Sequence, residues 1–180
     1  DFERLARMLS GRALGLVLGG GGARAFAHIG VLRALAEARI PVDLIGGTSM
    51  GAVMAAQHAA GWDHATMIEA NRKAFVEGGG LFDYTLPFMS LIGGLRFVRT
   101  FATMFGETRI EDLPLKYFCV STNLTRGEPE VHETGLLYRW LSASICVPGL
   151  APPVFDQGNL LVDGSVLNTV PADVMRRFGR

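Results

Sequence analysis

Residues Leu14–Met54, LGLVLGGGGARAFAHIGVLRALAEARIPVDLIGGTSMGAVM, contain the clearest alternation of strand and helix in this chain. They begin with a short apolar run, Leu14–Leu18, which is typical of a buried strand in a parallel sheet. Apolar residues then recur at helical spacing over Ala25–Ala38, and Val42–Ile45 predicts a second strand. A second helix is predicted over Ala52–Ala60. This alternation of strand and helix predicts an α/β protein built on a parallel sheet.

The rest of the chain continues the pattern less regularly. Trp62–Glu77 and Leu136–Val147 predict helices, and Lys116–Ser121 predicts a strand. The intervening stretch Arg126–Gly135, RGEPEVHETG, is polar and is predicted to be a turn. A last short strand is predicted at Leu160–Val162, where it ends on Asp163 and Gly164. No repeat or linker divides the chain, so we expect a single domain over residues 1–180.

Composition excludes several classes of function. Lys and Arg together number 17, as do Asp and Glu, so no excess of positive charge predicts nucleic-acid binding. Cys119 and Cys146 form no disulfide framework and have no metal-ligand spacing, which favours buried free thiols. Because no run of about 18 apolar residues occurs, no membrane span is predicted.

Both ends of the chain read as parts of helices. It opens on DFERLARMLSGR without an initiator Met and closes on ADVMRRFGR. We therefore expect a piece of a longer protein, in which residues 1–12 form the helical tail of an upstream region. Reduced thiols favour an intracellular, cytoplasmic location, and peripheral contact with a membrane stays open.

Four glycines, Gly19–Gly22, follow the first predicted strand and allow two interpretations. One is a dinucleotide-binding loop, since Gly20-x-Gly22-x-x-Ala25 fits the Rossmann fingerprint and Asp43 is available as the ribose-binding acid. The other is an oxyanion hole made of glycine amides at the start of a helix. Both use unpaired N–H groups at the positive end of a helix dipole.

The second predicted strand is followed by Gly47-Thr48-Ser49-Met50-Gly51, the pattern of a nucleophile elbow. In this motif the serine occupies a strained turn between strand and helix, and Gly47 and Gly51 allow close approach of the backbone. A dinucleotide-binding domain has no use for such an elbow. Since neighbouring parallel strands end at the same edge of a sheet, Ser49 is expected beside the glycine loop.

The elbow normally requires a late histidine, and this chain has none after His132. His28, His58 and His64 fall in predicted helices or at their ends, where packing or solvent exposure is expected, and His132 falls in the polar turn. Asp163, at the end of the last predicted strand, is the remaining candidate base. A carboxylate in a water-poor site has a raised pKa and accepts a serine proton directly. The sequence therefore predicts a Ser49–Asp163 dyad.

Four blocks in this order resemble the patatin-like phospholipase domain. They are GGGGARAFAHIGVLRAL at 19–35, GGTSMG at 46–51, SASICVPGLAPPV at 142–154 and VDGSVLN at 162–168. The stretch FCVSTNLTRGEP at 118–129 is similar to bacterial relatives of neuropathy target esterase. The resemblance extends over nearly the whole chain, Leu14–Arg177. It implies a three-layer α/β/α sandwich around a mostly parallel sheet.

The resemblance also implies roles for individual residues. Ser49 becomes the nucleophile and Asp163 the base. The amides of Gly20, Gly21 and Gly22, together with that of Met50, become the oxyanion hole. Arg24 matches a basic residue that helps to stabilise the oxyanion or holds this loop, with a salt bridge to a surface carboxylate as its rival role. The chain departs from the family at Ala25, where glycine is usual, and at Ser165, where glycine or alanine is usual. The Ser165 hydroxyl is expected either to lower the pKa of Asp163 through a hydrogen bond or to have no effect.

These observations predict a carboxylic ester hydrolase that acts on lipid or small ester substrates without a metal or cofactor. The apolar segment at 81–106 is the candidate lid, acyl-binding wall or membrane-contact surface, with an ordinary core as the alternative. Two other functions stay open: a catalytically weak lipid-binding or regulatory domain, and a Rossmann-type nucleotide-binding module. Nothing in the sequence indicates the oligomeric state.

Overall fold

The computed structural model describes residues 2–77 and 94–178. Its strands are β1 Gly15–Leu18, β2 Leu44–Thr48, β3 Lys116–Asn123, β4 Glu128–His132, β5 Val154–Asp156 and β6 Asn159–Asp163. Its α-helices are α1 Phe2–Leu9, α2 Ala27–Glu37, α3 Met50–Ala59, α4 His64–Arg72, α5 Leu95–Phe105, α6 Leu137–Ile145 and α7 Ala172–Arg177. A 3-10 helix, Gly22–Phe26, leads into α2, and a short π-helical turn, Lys73–Glu77, follows α4.

The six described strands form one mixed sheet in the order β1-β2-β3-β6-β5, with β4 paired to β3. Strands β1, β2 and β3 are parallel, whereas β4 and β6 run antiparallel to β3. Because β5 is antiparallel to β6, it runs in the direction of β1–β3. Four of the six described strands thus share one direction, and the predicted mostly parallel sheet is confirmed.

The strand β3 brings the ends of β2 and β6 together. One edge of β3 is occupied by β4, which pairs with Cys119–Asn123. The opposite edge pairs first with β2, as far as Val120 opposite Thr48, and then with β6, beginning at Ser121 opposite Asp163. The two strands therefore lie end to end along one edge of β3, and their carboxyl ends meet.

Two apolar cores flank the sheet. The larger is built from β-strand residues and helices α2, α3, α5 and α6, with Ile45, Ala52, Phe101 and Leu141 completely buried. On the other face Leu44, Phe118 and Val120 pack against α7. A sheet covered on both faces by helices is the three-layer arrangement that was expected.

Two sequence-based predictions are wrong. The polar stretch Arg126–Gly135 is not simply a turn, because Glu128–His132 forms strand β4. It pairs only with β3 among the described strands, so it is an edge strand, where charged residues and Pro129 are tolerated. The second error concerns Asp43, the ribose-binding acid of the dinucleotide-binding interpretation, which lies before the first residue of β2.

Asp43 has a structural role. Its buried carboxylate accepts hydrogen bonds from Nε of Arg7, at 3.0 Å, and from the amide of Leu14. The Arg7 guanidinium holds the pKa of this carboxyl below its usual value. Asp43 thus anchors α1 to the start of the sheet and is not available to a ribose at the glycine loop.

The candidate lid at 81–106 lies partly outside the described residues, which resume at Gly94. Within the described part, α5 is amphipathic and buries Phe97, Phe101 and Phe105 in the larger core. These three rings have the ordinary packing role that was the alternative to a lid.

Candidate active site

Ser49 occupies a sharp turn between β2 and α3. The strand ends at Thr48, the helix begins at Met50, and Ser49 itself has φ 55° and ψ −134°. For a residue other than glycine, a backbone conformation with positive φ costs on the order of 1–3 kcal/mol and persists only where the surrounding structure enforces it. Such strain is typical of functional sites, and the turn has the geometry of a nucleophile elbow.

The two glycines of the elbow are required by close packing against the strand β1. A Cβ on Gly47 would lie 2.6 Å from the carbonyl oxygen of Leu18. A Cβ on Gly51 would collide with the carbonyl oxygens of both Leu18 and Gly19. The elbow therefore lies directly against the end of β1, where the glycine loop begins.

Ser49 donates a hydrogen bond to the carboxylate of Asp163. The distance from Oγ to Oδ2 is 2.7 Å, and both residues are buried. The other oxygen, Oδ1, accepts the amide of Ser165 at 2.8 Å, and the amide of Asp163 donates to the carbonyl of Cys146. The carboxylate is thus fixed on both sides, with one oxygen directed at the serine hydroxyl.

Burial raises the pKa of Asp163 above its ordinary value. Hydrogen bonds from the Ser165 amide, the Ser49 hydroxyl and the Ser165 hydroxyl lower the pKa and offset part of this effect. A carboxylate destabilised by burial is a stronger base than one in water. The arrangement suits proton transfer from Ser49 near neutral pH.

A cavity of about 360 Å³ opens over Ser49 and Asp163. Gly21 and Gly22 line it on one side, and its remaining lining consists of Val147, Pro148, Ser165 and Val166. The amide of Gly20, by contrast, donates to the carbonyl of Thr169 at 3.0 Å. The oxyanion hole expected from Gly20, Gly21 and Gly22 is therefore corrected: the Gly20 amide is already engaged.

Met50 and Arg24 occupy different environments. Met50 is the first residue of α3, and an amide at that position has no acceptor inside its own helix. Arg24 is exposed in the 3-10 helix after the glycine loop, and its Cβ lies near Gly21. Within residues 2–77 and 94–178 Arg24 forms no salt bridge, so the rival surface pairing is not seen there.

The departures from the family pattern leave the centre intact. Ala25 is buried at the helix that follows the loop, and Ser165 stands beside the carboxylate, which its amide contacts. Gly164 opens a short 3-10 helix, Gly164–Val166, directly after Asp163. None of these residues separates Ser49 from Asp163.

The histidines have other partners. Nε2 of His28 lies 3.0 Å from the carbonyl of Gly19, so this ring ties α2 to the glycine loop. His58 is half-buried on α3, where burial lowers its pKa, and His64 is exposed at the start of α4. His132 is corrected from a turn residue to a buried residue of β4.

His132 is a packed, uncharged residue at neutral pH. Its ring stacks on Trp140 with centroids 4.2 Å apart, and Nε2 lies 2.7 Å from Oγ of Ser121. Burial lowers its pKa to about 4. Nε2 of His132 is therefore engaged by Ser121, and the hydroxyl of Ser49 is bonded to Asp163 instead.

The sequence did not single out Ser144, which touches the elbow. Its hydroxyl oxygen accepts the amide of Ser49 at 2.8 Å and donates to the carbonyl of Val120 at 2.7 Å. Ser144 belongs to the SAS triplet of α6. A serine within an amphipathic helix has no distinguishing pattern, so only its position in the fold reveals the contact.

Two features are absent from the described part of the chain. It contains no group of three or more His, Cys, Asp or Glu residues arranged to hold a metal ion. No helix in it has the length and hydropathy that crossing a bilayer requires. Cys119 and Cys146 are buried free thiols whose pKa burial raises to about 12, as expected for packing residues.

Comparison with known proteins identifies relatives that match nearly the whole chain. The family model described as "Patatin-like phospholipase" matches residues 16–176. Lysophospholipase nte1 of Aspergillus fumigatus is 43% identical over 99% of this chain and 12% of its own length. Patatin-like phospholipase domain-containing protein 7 of Mus musculus is 46% identical over 99% of this chain and 14% of its own length.

The chain therefore spans about an eighth of the length of these relatives. Among solved structures, VipD from Legionella pneumophila superposes with a TM-score of 0.61 at 17% identity. That alignment covers 87% of this chain and 46% of VipD, and it supports the α/β fold.

Proposed function

The chain belongs to the patatin-like phospholipase family, and on that premise we propose that it is a serine hydrolase that cleaves carboxylic esters of lipids. The hydrogen bond of 2.7 Å between Ser49 Oγ and Asp163 Oδ2, at a strained elbow, is the observation that carries the proposal. A nucleotide-binding module is disfavoured, because Asp43 is committed to Arg7.

In the first half of the reaction Asp163 accepts the proton of Ser49 as Oγ attacks the acyl carbonyl carbon. The carbonyl oxygen becomes an oxyanion, which the amides of Gly21 and Gly22, with that of Met50, are proposed to stabilise. Gly21 and Gly22 line the cavity over Ser49, which supports this assignment. The bond between the acyl carbon and the alcohol oxygen then breaks, Asp163 returns the proton to that leaving alcohol, and the acyl group stays on Ser49.

In the second half water enters and Asp163 removes one of its protons. The hydroxide attacks the acyl-Ser49 carbonyl carbon, the bond to Oγ breaks, and the proton on Asp163 passes to Oγ. The free fatty acid leaves and both residues return to their starting state. One carboxylate thus acts as base in each half-reaction, with no histidine between it and the serine.

Lipid-like substrates fit the surroundings of the cavity. Val147 and Val166 line it, and their side chains are 43% and 48% exposed. Exposed aliphatic residues at the mouth of a site are suited to acyl chains and to peripheral contact with a lipid surface. Relatives named lysophospholipase favour a lysophospholipid as the substrate.

A substrate panel with two serine variants tests the function. Wild type, Ser49→Ala and the control Ser142→Ala are compared on p-nitrophenyl esters, lysophospholipids and phospholipids. Ser142 is a buried serine whose hydroxyl, among the described residues, bonds the Tyr138 carbonyl alone, so its loss should leave activity within about twofold.

We expect turnover by wild type and by Ser142→Ala, and none above background by Ser49→Ala. A preference for short soluble esters would change the assigned activity from a lipid hydrolase to an esterase of small substrates. Binding to vesicles without any turnover by wild type would instead support the non-catalytic lipid-binding alternative.

A further inference from the structure

The hydroxyl of Ser144 stands between the backbones of two neighbouring strands. It accepts the amide of Ser49, which follows β2, and donates to the carbonyl of Val120 in β3. Val120 is the register partner of Thr48, the last residue of β2. The serine side chain therefore connects the two strands at the point where β2 leaves the sheet to form the elbow.

The Ser49 amide needs this acceptor. Ser49 precedes the first residue of α3, so its N–H has no acceptor inside that helix. Water does not readily replace the partner, because Ser144 is completely buried and Ser49 is 7% exposed. A buried amide without a partner is costly, and this one belongs to a residue whose backbone is already strained.

The contact also fixes the direction of the nucleophile. The backbone of Ser49 is held at three points: its amide by Ser144, and its carbonyl by the amides of Ala52 and Val53. With the backbone fixed, Oγ points at Asp163. Loss of the Ser144 hydroxyl removes the restraint nearest to the strained φ angle.

Resting on the function proposed above, we infer that Ser144 is a positioning residue, whose hydroxyl holds Ser49 in the elbow conformation needed for attack. It touches neither substrate nor reacting atoms. Its contribution to the rate acts through Ser49 and is therefore a contribution to kcat rather than to KM.

The test compares Ser144→Ala, Ser144→Thr and Ser142→Ala. Ser142 is two residues away in the same helix and is also buried, but its hydroxyl bonds the Tyr138 carbonyl and not the elbow. Four quantities are measured: kcat and KM for a p-nitrophenyl ester, the rate of Ser49 labelling by a fluorophosphonate, and the melting temperature.

We expect Ser144→Ala to lower kcat and the labelling rate by about 10- to 100-fold with KM within twofold, because a buried amide loses its acceptor. Ser142→Ala should leave the labelling rate unchanged. Ser144→Thr retains the hydroxyl and should recover most of the rate, whether or not the alanine variant folds.

Equal labelling rates in wild type and a folded Ser144→Ala variant would overturn the inference. So would a loss of labelling in Ser144→Ala that Ser142→Ala reproduces, because a general weakening of α6 would then explain both. Failure of the proposed function is distinguishable, since wild type itself would then show no ester turnover.

Discussion

Ser49 Oγ lies 2.7 Å from Oδ2 of Asp163, although the two residues are 114 positions apart in the chain. They meet because β2 and β6 lie end to end along one edge of β3. Ser49 is the first residue after β2 and Asp163 is the last residue of β6, so both side chains reach the same point. The Asp163 carboxylate therefore contacts the Ser49 hydroxyl directly, without a histidine between them.

The acid limb of the pH–activity profile reports on Asp163. Only the ionised carboxylate accepts the serine proton, so kcat/KM should fall as pH falls through its pKa. Burial raises that pKa, so the midpoint is expected above the ordinary value of about 3.9. The Ser165 hydroxyl lowers the pKa, and Ser165→Ala should move the midpoint to higher pH.

The Ser165→Ala variant keeps the amide that donates to Oδ1, so only the hydroxyl is removed. Profiles of kcat/KM for both proteins, between about pH 4 and pH 9, provide the comparison. A midpoint that moves to lower pH in Ser165→Ala would contradict either the assignment of Asp163 as the base or the role of the Ser165 hydroxyl in lowering its pKa.

Gly51→Ala should damage the elbow, whereas Gly30→Ala should not. A Cβ at Gly51 collides with backbone oxygens of Leu18 and Gly19, which cannot move aside easily. We expect a loss of about 1–3 kcal/mol in the free energy of unfolding and a fall in kcat of at least about tenfold. Gly30 lies exposed within α2 with nothing near its Cβ position.

Replacement of Gly30 by alanine should leave activity unchanged and add up to about 1 kcal/mol of stability, because alanine favours helix. Chemical denaturation and ester hydrolysis measure both effects. Equal losses in the two variants would show that the close contact at Gly51 is not specific to the elbow.

The elbow could be read from the sequence because its signal is local. Gly47, Ser49 and Gly51 fall within five consecutive residues, between an apolar strand and a helix. The order of the first strands and helices follows from the same kind of pattern. These features depend on neighbours in the chain, which periodicity and turn chemistry capture.

The remaining features depend on partners that are distant in the chain. The head-on meeting of β2 and β6 requires the antiparallel register of β6, which a three-residue apolar run does not specify. β4 was missed because an edge strand carries charges and a proline. The Gly20 amide was predicted to be free to bind the oxyanion because its acceptor, the Thr169 carbonyl, lies 149 positions away in the chain.

Asp163→Asn should stabilise the fold at neutral pH. Because the pKa of Asp163 is raised, the folded state binds more protons than the unfolded state between the ordinary and the raised pKa. The free energy of unfolding therefore falls as pH rises through this window. Above the window it stays lowered by the burial of the charged carboxylate. Asparagine does not ionise and avoids this cost.

Melting temperatures of wild type and Asp163→Asn, measured from about pH 4 to pH 8, test this point. The variant's advantage should be largest at pH 7–8 and should shrink toward pH 4, where wild-type Asp163 becomes protonated. A difference that does not change with pH would show that burial does not disfavour the charged carboxylate.

The most direct test of the dyad is the acylation of Ser49 in the absence of the Asp163 carboxylate. Wild type, Asp163→Asn and Ser49→Ala are mixed with a p-nitrophenyl ester, and p-nitrophenol release is followed together with the intact mass of the protein. Asp163→Asn is expected to release p-nitrophenol at least about 10³-fold more slowly than wild type, close to the rate of Ser49→Ala. If Asp163→Asn instead keeps full activity and accumulates acyl-Ser49 as fast as wild type, Asp163 is not the base and the Ser49–Asp163 dyad is contradicted.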